Sequence, residues 1–382
     1  MAQNSIKVVL ATGIFFPEVG GPAIHVRKIA EALVGAGFKP VVIAYGDITK
    51  VDDFPFPVRR ASRRWPKALR WSVYFWLVLR ESLGAKVVYA FDVSAAGLPA
   101  FLAAKMFGKK FLIRIGGDPI WERVVEHGKR FLSLDKYYAQ GLFRSDRPWL
   151  YRLIRLVVGH SDNIILCNDF FKEFYIKYFG ASREKITVVA NPIYVRGIAS
   201  AELPADPIIL FAGRFVAYKN LPLVIRAFER FRLETGRGRL LLVGHGPDQD
   251  KLEQQIDGSS LKSAIYIRSP LPQEELFKLI NESALAIGPA LSEFNPNFIL
   301  ESLSFGKPVV LSRGHGLSIT LPEEFLFNPD DEDELLSRFR LLLSPDNYAE
   351  AVATVATLPR SQSWEQVTGV HVDLIRRLSL KS

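Results

Sequence analysis

Residues 207–233 read PIILFAGRFVAYKNLPLVIRAFERFRL. Ile208–Ala212 is short, apolar and unbroken, the pattern of a strand buried on both faces. A loop runs from Gly213 to Asn220, a helix is expected over Leu221–Leu233, and Leu240–Val243 is the next strand. Further strands are expected at Ala264–Ile267, Ala284–Ile287 and Pro308–Ser312. Buried runs alternating with helices specify a parallel sheet with crossover helices.

The chain opens in the same order. Ile6–Ala11 is β-rich, Thr12–Gly21 is a loop, and in Pro22–Val34 the residues Ile24, Arg27, Ile29, Ala32 and Leu33 roughly follow a period of 3.6. Gly35 and Gly37 close that helix. Val41–Tyr45, Val87–Tyr89, Phe111–Ile115 and Asn163–Leu166 continue the strands. The expected fold is α/β, with two Rossmann-like doubly wound parallel-sheet domains facing across a crevice. They span residues 1–193 and 207–358, with a linker at 194–206. Residues 359–382 are expected to form a helix that packs back on the first domain. Ligands of such sheets sit at the carboxyl ends of the strands.

The chain has 382 residues, 48% hydrophobic and 23% charged, an ordinary globular composition that excludes a disordered, collagen-like or low-complexity protein. Its lone cysteine, Cys167, excludes an internal disulfide and a cysteine zinc site. Lys and Arg number 49 against 40 Asp and Glu, a net +9, which suits anionic partners such as nucleotides, diphosphates or acidic lipid. No nucleic-acid recognition module is visible. The polar Met1–Asn4 does not resemble a leader peptide, and the longest apolar run, Val73–Leu79, is far short of the ~20 residues that cross a bilayer. A reduced, cytoplasmic setting is the expectation.

Four loops bear chemistry. Ser292-Glu293-Phe294-Asn295-Pro296-Asn297-Phe298-Ile299-Leu300-Glu301 joins a buried strand to a helix. Asn295 and Pro296 read as its N-cap and first residue. Glu293 then lies in the loop and Glu301 in the second turn, both in reach of a ligand at the positive end of the helix. The spacing also fits a solvated loop carboxylate and a capping-region glutamate. In Gly213–Asn220, Arg214 and Lys219 either hold phosphate or are solvated cations. Pro17-Glu18-Val19-Gly20-Gly21-Pro22 allows close backbone approach to a phosphate or sugar. In Arg114-Ile115-Gly116-Gly117-Asp118, Asp118 is either a substrate-hydroxyl contact or the cap of a helix beginning at Pro119. Gly244-His245-Gly246 has Gln249 where a dinucleotide fingerprint needs glycine, which disfavours a nicotinamide enzyme. No His-Glu-x-x-His or Gly-x-Ser-x-Gly occurs. The Asp-x-Asp within Asp330–Glu334 precedes a helix, where acids complement the dipole.

As an ordered set, these stretches resemble the retaining glycosyltransferases of family 4 (glycosyl transferases group 1), which have the GT-B fold. Glu293 and Glu301, eight apart, look like the family's paired glutamates, and Ser304-Phe305-Gly306-Lys307-Pro308-Val309-Val310 like their usual sequel. The resemblance implies that Glu301 bonds the donor ribose and Glu293 the sugar hydroxyls. It implies that Arg214 and Lys219 neutralise the leaving diphosphate, and that the backbone at Asn297, Phe298 and Ile299 holds phosphate or sugar. Gly20 and Gly21 would face the donor, and Asp118 would stand on the acceptor side, where relatives often carry histidine. A nucleotide diphosphate-sugar is the implied donor, with no cofactor and no metal required. Phe294 departs from a glycine frequent after the first glutamate, and Arg268 from a glycine near the base-binding strand end.

Residues 54–80 carry Arg59, Arg60, Arg63, Arg64, Lys67, Arg70 and Arg80 among Trp65, Trp71, Tyr74, Phe75 and Trp76, and no acid. A second basic stretch, with Trp149, runs from Arg144 to Val158. Such segments read as anionic membrane surface binders or as core helices with a solvated basic face. The expected function is transfer of a sugar, with retention, to a hydroxyl on a glycan or lipid-linked acceptor, in cell-surface glycan, polysaccharide or glycolipid synthesis, at the inner face of the membrane. An inverting transferase or nucleotide-sugar epimerase is the enzyme alternative. A non-catalytic sugar-nucleotide-binding protein is the alternative of another class.

Overall fold

β1 (Lys7–Thr12), β2 (Lys39–Tyr45), β3 (Val58–Ala61), β4 (Ala85–Ala90), β5 (Lys110–Arg114), β6 (Asn163–Leu166) and β7 (Ile186–Val188) form one parallel sheet, ordered β3-β2-β1-β4-β5-β6-β7. β8 (Ile208–Ala212), β9 (Arg239–Val243), β10 (Ile265–Arg268), β11 (Leu285–Gly288), β12 (Val309–Ser312) and β13 (Leu326–Phe327) form a second, ordered β10-β9-β8-β11-β12-β13. Val8, Val9 and Leu10 are fully buried, as are Ile209 and Leu210, which is why these runs are apolar without alternation. The computed structural model describes residues 6–18, 20–47, 53–192, 196–197, 199–359 and 362–380. Met1–Asn4 and residues 194, 195 and 198 of the expected linker lie outside them.

The helices are α1 (Gly21–Gly35), α2 (Lys67–Ser82), α3 (Gly97–Met106), α4 (Pro119–Glu126), α5 (Leu134–Ala139), α6 (Phe143–Asp146), α7 (Pro148–His160), α8 (Asp169–Phe179), α9 (Leu221–Thr235), α10 (Gln249–Asp257), α11 (Gln273–Glu282), α12 (Asn297–Ser304), α13 (Glu332–Leu342), α14 (Pro345–Thr357) and α15 (Trp364–Leu380). Asn168 caps α8 by accepting the Phe171 N–H, and Ser344 caps α14 through Asn347.

Contacts gather the chain into two units. The first comprises residues 1–120, 143–191 and 362–382; the second comprises 121–142 and 192–361. A single cut in the linker would assign 121–142 to the first unit, but its contacts are with the second. Within the first unit, α15 packs on α1. Val367 and Ile375 join Val26 and Ile29 in one core, and Trp364 meets the His25 ring edge-on at 5.0 Å. Arg114 ends β5 buried, its Nη2 donating to Asn191 Oδ1 at 2.6 Å. In the second unit α13 lies along α9, and Phe228 and Phe231 of α9 share a core with Leu240, Leu242 and Phe339.

Phe228 is fully buried on α9 and Leu233, on the same helix, is 69% exposed. Phe228→Ala is expected to cost about 3–5 kcal/mol, lowering the urea midpoint of the second unit. Leu233→Ala should stay within about 0.5 kcal/mol of the parent. Equal midpoints for the two variants would contradict this core.

Candidate active site

Strand order reverses between β1 and β4 in the first sheet and between β8 and β11 in the second. In open parallel sheets the ligand crevice lies at such a reversal, beyond the carboxyl ends of the strands. In the second unit the two loops at that point are Gly213–Asn220 and residues 289–296.

The first loop ends in a single 3-10 turn, Ala217–Lys219, followed by Asn220 in the left-handed region (φ 53°). The Asn220 amide donates to the Pro329 carbonyl at 2.8 Å. This turn aims Lys219 at the second loop, where its Nζ forms an ion pair with the Glu293 carboxylate. Both side chains are only 16% exposed, so neither charge has bulk water to fall back on. The Leu291 N–H donates to the Tyr218 carbonyl at 2.8 Å, a second tie between the loops. Arg214 is largely exposed, with Nη2 3.7 Å from Glu126 Oε1.

The expected N-cap is corrected by one residue. Asn295 is left-handed (φ 63°), whereas a capping residue is extended. Pro296 (φ −65°, ψ 117°) takes that place and α12 begins at Asn297. Asn297, Phe298 and Ile299 thus form the first turn, with no acidic side chain and no side-chain cap. First-turn N–H groups have no carbonyl partner within a helix and carry partial positive charge. Glu301 follows in the second turn, its Oε1 accepting from Gln273 Nε2 of α11 at 3.1 Å. Burial pushes the Glu301 carboxyl above the usual range, and Gln273 and Arg196 oppose that shift.

The surrounding loops explain several glycines. Gly244 is also left-handed (φ 153°), and a Cβ there would lie 1.9 Å from the Gly213 carbonyl. Gly244-His245-Gly246 therefore braces the Arg214 loop, with Phe215 N–H donating to the His245 carbonyl at 3.0 Å. Gly316 (φ 62°) lies under Glu293, where a Cβ would stand 2.0 Å from the Glu293 carbonyl. Beside it, burial holds His315 down at about 4, and its Nδ1 accepts the Leu317 N–H.

In the first unit, Gly20 occupies the N-cap position of α1 and Gly21 its first residue. Arg63 fastens the preceding loop, donating to both Glu18 carboxylate oxygens at 2.8 Å and to the Gly13 carbonyl at 2.9 Å. Arg60 adds a bond to the Phe16 carbonyl at 2.5 Å. Asp118 is fully buried, and its Oδ1 accepts the Ile120 N–H of α4 at 3.0 Å. The second unit thus gathers Arg214, Lys219, Glu293, Asn297, Phe298, Ile299 and Glu301, while Gly20, Gly21 and Asp118 belong to the first.

Two sequence models tile the chain: "Glycosyltransferase Family 4" matches residues 19–196 and "Glycosyl transferases group 1" matches 199–357. The chain belongs to the family 4 glycosyltransferases. An uncharacterized glycosyltransferase of Methanocaldococcus jannaschii is 22% identical over 97% of this chain and 98% of its own length. The Arabidopsis thaliana sulfoquinovosyl transferase SQD2 is 27% identical over 40% of this chain and 30% of its own. Among solved structures, sucrose-phosphate synthase from Thermosynechococcus elongatus superposes with a TM-score of 0.78 at 18% identity, covering 99% of this chain and 100% of that one. Anabaena HepE in complex with UDP-glucose gives 0.70 at 15% identity over 98% of each chain. The fold is GT-B.

This glycosyltransferase also recruits residues that no motif announced. Trp121 packs on Tyr218 with ring centroids 5.3 Å apart, and its Nε1 donates to the Leu132 carbonyl at 2.8 Å. Leu134 N–H donates to Ser292 Oγ at 2.9 Å, and Lys136 pairs with Asp330 at 2.6 Å. Burial, with the nearby Glu122 and Glu293 carboxylates, pushes the Tyr218 phenol up. No local spacing connects residues 121–136 with loops so far along the chain. In the Asp-x-Asp segment, Asp331 caps α13 through the Glu334 N–H and Asp333 pairs with Arg230 at 2.7 Å. Among the described residues, no cluster of three or more His, Cys, Asp or Glu side chains is placed to hold a metal.

Gly316→Ala must move the Glu293 carbonyl. It is expected to cost about 1–3 kcal/mol in thermal unfolding and to lower glycosyl transfer. Gly369→Ala, in α15 with open space around it, should leave transfer unchanged and gain up to about 1 kcal/mol. A silent Gly316→Ala would remove the proposed support of Glu293.

Proposed function

We propose that the protein moves a sugar from a nucleoside diphosphate-sugar to a hydroxyl acceptor with retention at the anomeric carbon. The observation that carries this reading is the Lys219–Glu293 pair, which joins the two loops of the strand reversal beside the α12 amino terminus. The UDP-glucose held by a neighbour of the same fold supports the donor class. Phosphate oxygens accept from the first-turn amides of Asn297, Phe298 and Ile299, and Glu301 accepts from the ribose hydroxyls. Glu293 contacts the donor sugar, and Lys219 and Arg214 meet the diphosphate. As the bond from the anomeric carbon to the diphosphate breaks, both electrons leave with the phosphate oxygen, and the two cations stabilise that charge. The acceptor oxygen bonds to the same face, and its proton passes to the departing diphosphate. Gly20 and Gly21 are assigned to the donor and Asp118 to the acceptor side. Because its Oδ1 caps α4, Asp118 acts by shaping that loop.

Each charge-assisted contact contributes about 1.5–3 kcal/mol, so Arg214→Ala and Lys219→Ala should each lower kcat/KM by about 10- to 150-fold. Glu301→Ala should weaken nucleoside diphosphate binding, Glu293→Ala should lower turnover more than affinity, and chelator should leave the parent active. Nucleotide binding without turnover across hydroxyl acceptors would favour a non-catalytic binder. An inverted product by NMR would overturn retention.

We further propose that the acceptor is met at an anionic membrane surface, within glycan or glycolipid synthesis. α2 packs on α3, and α3 on α7. Trp76, Leu69, Met106, Trp149 and Leu156 are exposed on these helices, between Lys67, Arg80, Lys105, Arg152 and Arg155. Helices α3 and α7 contain no acid, and Glu81, the acid of α2, is buried against Lys7 and Arg59. Such a face suits acidic lipid. Each cation contributes about 1 kcal/mol near an anionic bilayer, so Lys67→Ser with Arg80→Ser and Arg152→Ser should reduce co-sedimentation with phosphatidylglycerol vesicles more than tenfold at low salt. Binding of the parent that ignores lipid charge and salt would refute this surface.

A further inference from the structure

The core of the first unit encloses a polar cluster that no step of the transfer uses. His25 comes from α1, Tyr89 from β4, Arg114 from the end of β5 and His371 from α15, with Asn191 just after β7. His25, Arg114 and His371 are each more than nine-tenths buried. Arg114 Nη2 donates to Asn191 Oδ1 at 2.6 Å and stands 3.5 Å from His25 Nε2. The Tyr89 hydroxyl lies 3.0 Å from His371 Nδ1. Arg114 Nη1, His25 Nδ1 and His371 Nε2 are buried with no hydrogen-bond partner. Among the described residues no Asp or Glu faces the three side chains; the charges acting on the histidines are Arg114 and, for His25, His371. Cys167, the other titratable neighbour of Arg114, is kept a neutral thiol by burial. The acids of the two helices are engaged elsewhere: Glu31 with Arg27 and Lys28, Asp373 with Arg376, and Glu365 beside Ser363.

We propose that His25, Arg114 and His371 form an acid-sensitive latch, which docks α15 on α1 and β4 while both histidines are neutral and releases it when they take up protons. A guanidinium donates and has no acceptor, so His25 can meet Arg114 only through a bare Nε2. A proton there sets two donors and two charges face to face. A proton on His371 adds a further charge to the same buried space, where no carboxylate offsets it. Burial first, and then the Arg114 charge, hold both histidines well below their ordinary range; the Asn191 side chain opposes this at His25. With α15 lifted, water reaches both rings and their basicity returns toward the ordinary value of about 6.5. The released state then binds more protons than the docked one, so docking is at full strength above about pH 6.5 and weakens as pH falls. The chain leaves the first unit after Asn191 and returns to it at Gln362. Asn191 is bonded to Arg114, and Trp364 packs on His25, so the latch fastens both points. His25 also lies about one turn into α1 from Gly20 and Gly21, and release loosens the helix that carries them.

The test is hydrogen exchange of the full chain read by mass spectrometry at pH 7.5 and 5.5, with rates corrected for the intrinsic effect of pH. Parent, His371→Gln and His25→Gln are compared, and circular dichroism at pH 7.5 confirms that each is folded. Each histidine that titrates only in the released state raises the opening equilibrium by about tenfold between the two pH values. Peptides of α15 in the parent should therefore open about 100-fold more at pH 5.5, and in either variant only about tenfold more. Peptides of β1 and β4 should change far less. A parent whose α15 exchange ignores pH, or variants that keep the parent's full pH ratio, would overturn the latch. An equal rise in α15, β1 and β4 would also overturn it, because acid would then be unfolding the whole unit rather than releasing one helix.

Discussion

The ion pair between Lys219 and Glu293 is the constraint on which the candidate site depends. Both side chains are 16% exposed, and breaking such a pair strands a poorly solvated charge. The partners are 74 positions apart in sequence. They meet because β8 and β11 are neighbours, and because two left-handed residues set the approach: Asn220 turns the lysine toward the second loop, and Asn295 delays the start of α12. Gly316, with no room for a Cβ, supports the glutamate from below.

The charge surplus of this glycosyltransferase divides into cations with local work and cations on display. Arg60 and Arg63 hold the loop before α1, Arg64 lies 3.3 Å from Asp47, and Arg59 lies 3.5 Å from Glu81. Arg114 is buried against Asn191. What remains on the outer helices of the first unit is Lys67, Arg80, Lys105, Arg152 and Arg155, interleaved with exposed apolar side chains. A basic run in sequence therefore overstates the surface charge, because an arginine serves equally well as a loop clamp. The absence of any exposed acid on the described parts of α2, α3 and α7 is the more informative property.

Segment 121–142 illustrates how a chain order conceals a site. Its sequence follows the first unit's Gly116-Gly117-Asp118 loop, yet Trp121, Glu126, Leu134 and Lys136 all bond or pack within the second unit. They do so against Tyr218, Arg214, Ser292 and Asp330, residues of the loops that carry the two cations and the first glutamate, and of the turn before α13. The loop cations are thus held against carboxylates from two directions, Arg214 by Glu126 and Lys219 by Glu293.

The sequence by itself determined the fold class and the identity of the two loops at the second sheet's reversal, since unbroken apolar runs, helical periods and glycine loops are local signals. It also indicated that Glu293 and Glu301 flank a helix start, because the Asn295-Pro296 pair between them is a local start signal. Tertiary structure decided the rest. That Lys219 is neutralised by Glu293, that Glu301 is held by Gln273, and that residues 121–142 join the second unit all depend on pairs far apart along the chain. Such contacts arise from strand order and loop conformation, and no period or motif in one stretch of sequence encodes its partner.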